Sequence, residues 1–331
     1  MIRRKPITIA TWDYDRVRAI IDGRVDVEGC DVTYLPLAPE ECFHRTYLHS
    51  EFEVAEIGFS PYLISLSRGT NDYVALPIFL SRMFRHSAIY IRTDRGINAP
   101  ADLRGRRVGV PEFQMSAAMW ARGMIEDDHG VPPSAMHWVQ GGLETWGRKD
   151  KFPLNLAAGF PLSPAPEGRS LNAMLADGEI DALFSARAPS CYGKPGVAVA
   201  RLYEDYGTAE RDYAARTGIF PVMHALGIRR DVLADAPWLA MTLVKAFTAA
   251  KAISDDDLFE VTALKIGLPW IGDEAIRTRK IMGRDFWPYG VDANRRTLET
   301  MARYSFEQGL ATRVLSVDEM FAPTTLETIK L

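Results

Sequence analysis

The sequence predicts an α/β protein of two lobes with a ligand cleft between them and a helical C-terminal extension, and three observations lead there. Its 331 residues exceed one ordinary domain of roughly 100 to 200 residues. Short β-rich runs alternate with helical patterns over the first hundred residues, as βα units on a mostly parallel sheet require. The alternation then restarts at ADLRGRRVGV, so a second α/β lobe begins near Ala99.

In the first lobe, ITIAT from Ile7, DVTYL from Asp31 and VAEIGF from Val54 read as strands. Between them, DYDRVRAIIDG opens with Asp13 in the N-cap position and PEECFHRTYLHS with a proline near its first helical position. A third helix, PYLISLSRG, follows Ser60. Two further β-rich runs, YVALPIFL from Tyr73 and SAIYIRT from Ser87, flank the basic SRMFRH. In the second lobe, the strand RVGVP leads into the helix SAAMWARGMIEDD, and MHWVQ, the helix SLNAMLADG and the strand EIDALFS follow. The intervening NLAAGFPLSPAPEG has turn chemistry and reads as a long loop. A helix over EDYGTAERDYAARTG leads to the β-like VMHALGIRR from Val222, and from Ala234 the chain reads as helix with short breaks. SAIYIRT and VMHALGIRR are the strands expected to cross between lobes. The first lobe is thus residues 1–98 plus 222–331, and the second 99–221.

Composition narrows the function classes. With 47% hydrophobic and 25% charged residues the chain is globular in type, and 39 Lys plus Arg against 43 Asp plus Glu lack the basic excess a phosphate backbone demands. A nucleic-acid partner is not expected. Cys30, Cys42 and Cys191 are far apart, without CxxC or metal-ligand spacing, and read as reduced thiols. The N-terminal MIRRKPITIATWDYD is interrupted by Thr8, Thr11 and Asp13 before an apolar run of signal-peptide length forms, so a cytoplasmic chain is expected. The most apolar later stretch, 237–253, carries Lys245 and Lys251, and no membrane association is expected. A homo-oligomer is compatible with this composition but not demanded by it. There is no internal repeat, GxGxxG, Walker-type loop, HExxH or GxSxG.

A linked set of segments is more specific: FRHSAIYI at 84–91, FQMSAAMWARGMIEDDHGV at 113–131, EGRSLNAMLADGEIDAL at 167–183, TGIFPVMHALGIRRDV at 217–232, then DFWPYGVDANRRTLE, RYSFEQGL and EMFAP. In these segments the chain resembles the 4,5-dihydroxyphthalate decarboxylase family, and its element order resembles the type II periplasmic-binding-protein fold. The resemblance implies a cytoplasmic carboxy-lyase acting on a dihydroxylated aromatic carboxylate in the interlobe cleft, as in the conversion of 4,5-dihydroxyphthalate to protocatechuate and CO2. Two alternatives stay open: a solute-binding protein for an aromatic carboxylate, and a different cytoplasmic enzyme on the same fold, of the menaquinone-pathway type.

Losing CO2 from such a ring requires a proton donor to the ring carbon, an acceptor for the hydroxyls and cations for a carboxylate. His86, in SRMFRHS, and His224, in FPVMHALG, lie on the two expected crossings, so both are expected at one ligand. One would protonate the ring and the other bind or deprotonate a hydroxyl, with the assignment open. Arg85 suits a carboxylate bidentately, whereas its neighbour Arg82 reads as a solvated loop residue. Arg187 follows a second-lobe strand at its carboxyl end, where ligands bind in open α/β sheets. The helix at Ser116 offers free N–H groups, with Gln114 and Ser116 as side-chain donors. Asp13 and Tyr14 follow the first strand, Ser60 and Tyr62 the third, and Glu112, after RVGVP, is the candidate carboxylate base of the second lobe. FWPYG at 286–290 reads as a packing knot for the C-terminal helices. No cofactor is expected; a divalent metal on His86, His224 and a carboxylate is conceivable, although no close-spaced ligand pair supports it.

Overall fold

The computed structural model describes residues 4–148, 150–154 and 156–327. Eleven strands in chain order are β1 Lys5–Thr11, β2 Cys30–Pro36, β3 Val54–Gly58, β4 Tyr73–Arg82, β5 Ile89–Arg92 and β6 Arg107–Val110, followed by β7 His137–Gln140, β8 Leu162–Pro164, β9 Ala182–Phe184, β10 Val199–Arg201 and β11 Val222–Arg229. They form two sheets, of order β2-β1-β3-β11-β4 and β10-β5-β9-β6-β7-β8. In the first sheet β1, β2 and β3 are parallel, and β11 runs antiparallel between β3 and β4. In the second, β6 to β9 are parallel, and at one side β5 pairs antiparallel with both β9 and β10.

Local chemistry explains most elements. Pro39 sits at the start of the helix Pro39–His49, where its missing N–H costs nothing, and the helix ends at Ser50 in the left-handed conformation. Ser170 caps Leu171–Asp177 through the Ala173 N–H, and Asp205 caps Tyr206–Thr217 through the Thr208 N–H. Asp13, expected as an N-cap, caps nothing. Its carboxylate takes the Arg18 guanidinium at 2.7 and 2.8 Å, and a 3-10 turn starts only at Asp15. The long loop holds a short edge strand, β8, which tolerates Pro164 because an edge leaves one row of N–H groups unused.

The lobe boundary falls earlier than the sequence suggests. SAIYIRT does not span the lobes, because β5 lies wholly in the second sheet, and the first passage is made by Met83–Ala88. The return passage is 218–221, next to the expected start at Val222, and the Met83 N–H bonds the Pro221 carbonyl at 3.2 Å so that the two passages run side by side.

The helix Leu239–Asp257 covers the first sheet, burying Leu239, Leu243 and Phe247 against Ile7, Ile9 and Leu80. The helix Arg295–Glu307 instead packs on both lobes, between the helices Phe59–Arg68 and Ser116–His129. There Gly123 lies under the ring of Tyr304, whose hydroxyl donates to Asp127 at 2.6 Å. Trp287 of FWPYG donates to the Phe79 carbonyl at 2.8 Å and lies beside Arg16, as a packing knot does. Among the described residues no helix is long and apolar enough to cross a membrane.

A Cβ at position 123 would stand 2.3 Å from the Tyr304 ring. The overpacking outweighs the gain in helix propensity, so Gly123→Ala is expected to destabilise the protein by about 1–3 kcal/mol in urea unfolding, with part of the loss recovered when Tyr304→Leu is added.

Candidate active site

Residues at or just past the carboxyl ends of β3, β6, β7 and β9, namely Gly58, Pro111, Gly142 and Ser185, line a single cavity of about 630 Å³ between the lobes. His224 enters it near the start of β11. The register with β4 shifts on both sides of this residue, and such a bulge re-aims a side chain. Across β3 the imidazole faces Gly58, which presents no side chain, and the ring of Phe43 meets it edge-on at 4.7 Å between centroids.

Glu56 lies two residues before Gly58 on the same face of β3. Its Oε1 is 2.6 Å from His224 Nδ1. The carboxylate is fully buried and also accepts the Tyr14 hydroxyl at 2.7 Å and the Trp12 N–H at 2.9 Å. Burial alone would push this carboxyl up. The hydrogen bond and charge of His224, with the Tyr14 and Trp12 donors, outweigh burial and hold it below the ordinary glutamate value. Glu56 is therefore an anion that keeps a proton on Nδ1, and Nε2, without a protein partner among the described residues, is left to the cavity.

Among the described residues four cations line the same space: Arg85, Arg148, Lys151 and Arg187. Two are already paired. Lys151 Nζ is 2.9 Å from both oxygens of buried Glu112, and Arg148 donates to Glu112 at 3.1 Å and to Glu40, across the lobes, at 3.4 Å. Arg85 and Arg187 have no carboxylate within ion-pair distance among the described residues. The helix Ser116–His129 begins at the cavity, and the Ser116 hydroxyl does not cap it. It donates to the Met223 carbonyl and accepts the Ser60 N–H, both at 3.0 Å, tying the lobes together.

No family model matches the sequence. The chain is 41% identical over 325 residues to the 4,5-dihydroxyphthalate decarboxylase of Comamonas testosteroni, covering 98% of both chains. The chain belongs to the 4,5-dihydroxyphthalate decarboxylase family. A second relative of that name, from Pseudomonas putida, is 43% identical over 207 residues, 62% of this chain and 80% of its own. Among solved structures, a periplasmic sulfonate-binding protein from Methylobacillus flagellatus superposes with a TM-score of 0.58 at 13% identity, over 97% of this chain and 92% of its own. At that identity the likeness shows the periplasmic-binding-protein fold alone.

In this family member, His224, Arg85, Arg187 and Ser116 meet at the cavity as the sequence suggests. Glu112 lies directly behind it, as an anchor for Arg148 and Lys151. Tyr14 is one step removed, on Glu56. The others do not line the cavity. Asp13 pairs with Arg18 on the surface, the Tyr62 hydroxyl donates to the Met320 carbonyl, and Gln114 holds the Phe152 backbone through both ends of its amide. Ser60 is buried, and only its backbone N–H reaches Ser116. Arg82 is no solvated loop residue: it is buried and donates to the carbonyls of Phe220 and Pro288.

His86 departs most from expectation. The strand that would have carried it starts three residues later, and His86 is buried in a 3-10 turn between the rings of Tyr203 and Tyr213, away from the cavity. The two histidines therefore do not share a ligand in this structure. Sequence reasoning missed Glu56, Arg148 and Lys151. The signal for Glu56 was a lone acid inside the apolar run VAEIGF. Among the described residues no group of three His, Cys, Asp or Glu side chains is placed to hold a metal.

Burial pushes the His86 imidazole down to about 4, with Asp128 opposing the shift, so the folded protein keeps it neutral. An unfolded chain takes up that proton from about pH 6.5 downward, so this stabilisation is complete above pH 6.5 and is lost as the pH falls toward 4. Urea unfolding of His86→Phe between pH 7 and pH 5 is expected to show a shallower loss of stability than the parent, by up to about 1.4 kcal/mol per pH unit.

Proposed function

We propose that this chain releases one carboxylate of 4,5-dihydroxyphthalate as CO2, with His224 delivering the proton that replaces it. The observation that carries the reading is the 2.6 Å contact between Glu56 and His224 Nδ1, which leaves Nε2 open to a cavity rimmed by cations. The similarity to decarboxylases over nearly the whole chain supports the same reading.

The reacting carbon is para to one of the ring hydroxyls. As that hydroxyl gives up its proton to solvent water, electron density moves to the carbon, which takes a proton from Nε2 of the His224 imidazolium. The ring loses aromaticity at this point. The bond to the carboxylate then breaks, CO2 departs, the electron pair left behind restores the ring as a phenolate, and that oxygen takes back a proton from solvent to give 3,4-dihydroxybenzoate. One proton enters and one CO2 leaves. Buried Glu56 stabilises the imidazolium and fixes its ring orientation, acting on substrate only through His224, and is thus a positioning residue. The cavity cations hold a dianionic substrate, and lobe closure keeps water from the dearomatised intermediate. No metal enters this scheme. Three buried, unpaired cysteines support a reducing, cytoplasmic setting.

Purified protein is expected to release CO2 and form 3,4-dihydroxybenzoate from 4,5-dihydroxyphthalate, equally with and without chelator. His224→Ala should lower kcat by about 100- to 10,000-fold. Glu56→Gln keeps a hydrogen-bonding group beside Nδ1 but removes the anion that orients the ring, so it should lower kcat less than His224→Ala does. Tight binding of the dicarboxylate without turnover by the parent protein contradicts the enzyme and leaves a solute-binding function.

A further inference from the structure

Three arginines are buried in this protein without a carboxylate partner among the described residues: Arg82, Arg85 and Arg122. Burial lowers the proton affinity of all three guanidinium groups, which measures the cost of keeping them charged. Two of them give most of their nitrogens to protein acceptors and do not line the cavity, although Arg82 Nε and Arg122 Nη1 stay unpartnered among the described residues. Arg82 reaches the carbonyls of Phe220 and Pro288, and Arg122 reaches Gln308 Oε1 and the Phe113 carbonyl while lying 3.7 Å from the Phe113 ring centroid. Arg85 differs: among the described residues its only hydrogen bond runs from Nε to the sulfur of Met223 at 3.3 Å, a weak acceptor, and it lines the cavity. A guanidinium carries five donors, so most of those of Arg85 await an acceptor.

Position adds to this. Arg85 lies on the first passage between lobes and Met223 follows the second, immediately before His224. The cation is thereby fixed to the framework that places the proton donor. By contrast Arg148 and Lys151 are committed to Glu112, and Arg187 is exposed, where solvent screens its charge.

We propose that Arg85 binds the carboxylate that stays on the ring, and thereby sets which carbon meets His224 and limits the reaction to one CO2. This rests on the decarboxylase reading above. A cation on the departing carboxylate would oppose the reaction, because that group loses its charge on the way to neutral CO2 and the ground state would be held more tightly than the transition state. The same cation on the neighbouring carboxylate keeps its partner throughout. With one carboxylate on Arg85, a dicarboxylate presents its second one to His224. The product, left with a single carboxylate, places it on Arg85 and presents a C–H to His224, so 3,4-dihydroxybenzoate is not carried on to catechol although its para hydroxyl permits the chemistry.

Binding of 3,4-dihydroxybenzoate and of catechol, which differ only by that carboxylate, is measured by calorimetry on the parent, Arg85→Met and Arg187→Gln proteins. The parent is expected to favour the carboxylate by about 10- to 100-fold, as a charge-assisted bidentate contact does. Arg85→Met should remove that preference while leaving catechol within threefold, raise KM for 4,5-dihydroxyphthalate more than it lowers kcat, and release measurable catechol on long incubation. Arg187→Gln should retain most of the preference. Arg85→Gln supplies the same comparison if the methionine variant does not fold. A preference that survives at Arg85 and vanishes at Arg187 overturns the assignment. The binding arm does not depend on turnover, so an inactive parent whose preference still vanishes in Arg85→Met refutes the decarboxylase reading alone, and an active parent whose preference persists refutes the Arg85 role alone.

Discussion

A carboxylate in the middle of a sheet is costly, and the site is organised around making Glu56 tolerable there. A buried anion needs donors on its lone pairs, and this one has three, from the Tyr14 hydroxyl, the Trp12 N–H and His224 Nδ1. The donors come from two distant stretches of chain. The end of β1 must bring Trp12 and Tyr14 to the end of β3, and β11 must come back antiparallel between β3 and β4 to bring His224. The order of the first sheet is thus also the order in which this carboxylate is satisfied. Removing any donor leaves the others around an under-solvated charge, and removing Glu56 leaves an imidazole with nothing to fix its tautomer.

The same return of the chain creates the cleft. β11 belongs to the first sheet, but it is reached only after the second lobe has been built, so the two passages at 83–88 and 218–221 lie side by side under the cavity. Ser116 reinforces them by joining the second lobe's long helix to Ser60 and to the Met223 carbonyl. Groups at the floor of the cavity, His224 and Arg85, are carried by these passages or next to them. Groups on the second-lobe wall, Arg148, Lys151 and Arg187, sit on loops after β7 and β9. A closing of the lobes about these passages would move the wall cations relative to the floor while the spacing of the floor groups stayed fixed.

Much of this was legible in the sequence. The alternation of β and helical runs and the restart at ADLRGRRVGV rest on local periodicity and were enough for two α/β lobes, while the particular two-lobed fold came from the resemblance that the family segments carry. Arg187 and Ser116 were singled out because their segments end a strand and begin a helix, where open α/β folds bind ligands, His224 because it lies on the expected return crossing, and Arg85 because a guanidinium suits a carboxylate. Asp13 and His86 were misplaced for a common reason: a residue next to a strand end faces solvent, core or cleft according to tertiary contacts that the local pattern does not contain. Asp13 found Arg18 five residues on, and the chain around His86 turned once before entering β5. Glu56 was overlooked because an acid in an apolar strand carries no motif. Its meaning depends on a diagonal neighbour on β11, 168 residues later. Arg148 and Lys151 depend in the same way on Glu112, which sequence reasoning found but cast as a base.

The role of Glu112 shows how charge is arranged before substrate arrives. A cavity that is to receive two carboxylates needs positive charge, yet unpaired cations facing one another across a cleft repel and hold it open. One buried acid bound to two of the wall cations removes that repulsion on the second-lobe side, and Glu40 carries the compensation across to the first lobe. The cations left without acid partners among the described residues are Arg85 on the floor and Arg187 on the rim, and in the proposed reaction each would face one carboxylate of an ortho-dicarboxylate. Their environments differ in the way the reaction requires. The buried guanidinium suits an anion that remains from substrate to product, and the exposed one suits an anion whose charge must be surrendered, since a screened contact adds little to the ground state and so little to the barrier. Burial thus distinguishes two groups of the same residue type and gives the cavity a direction that its cation count alone does not.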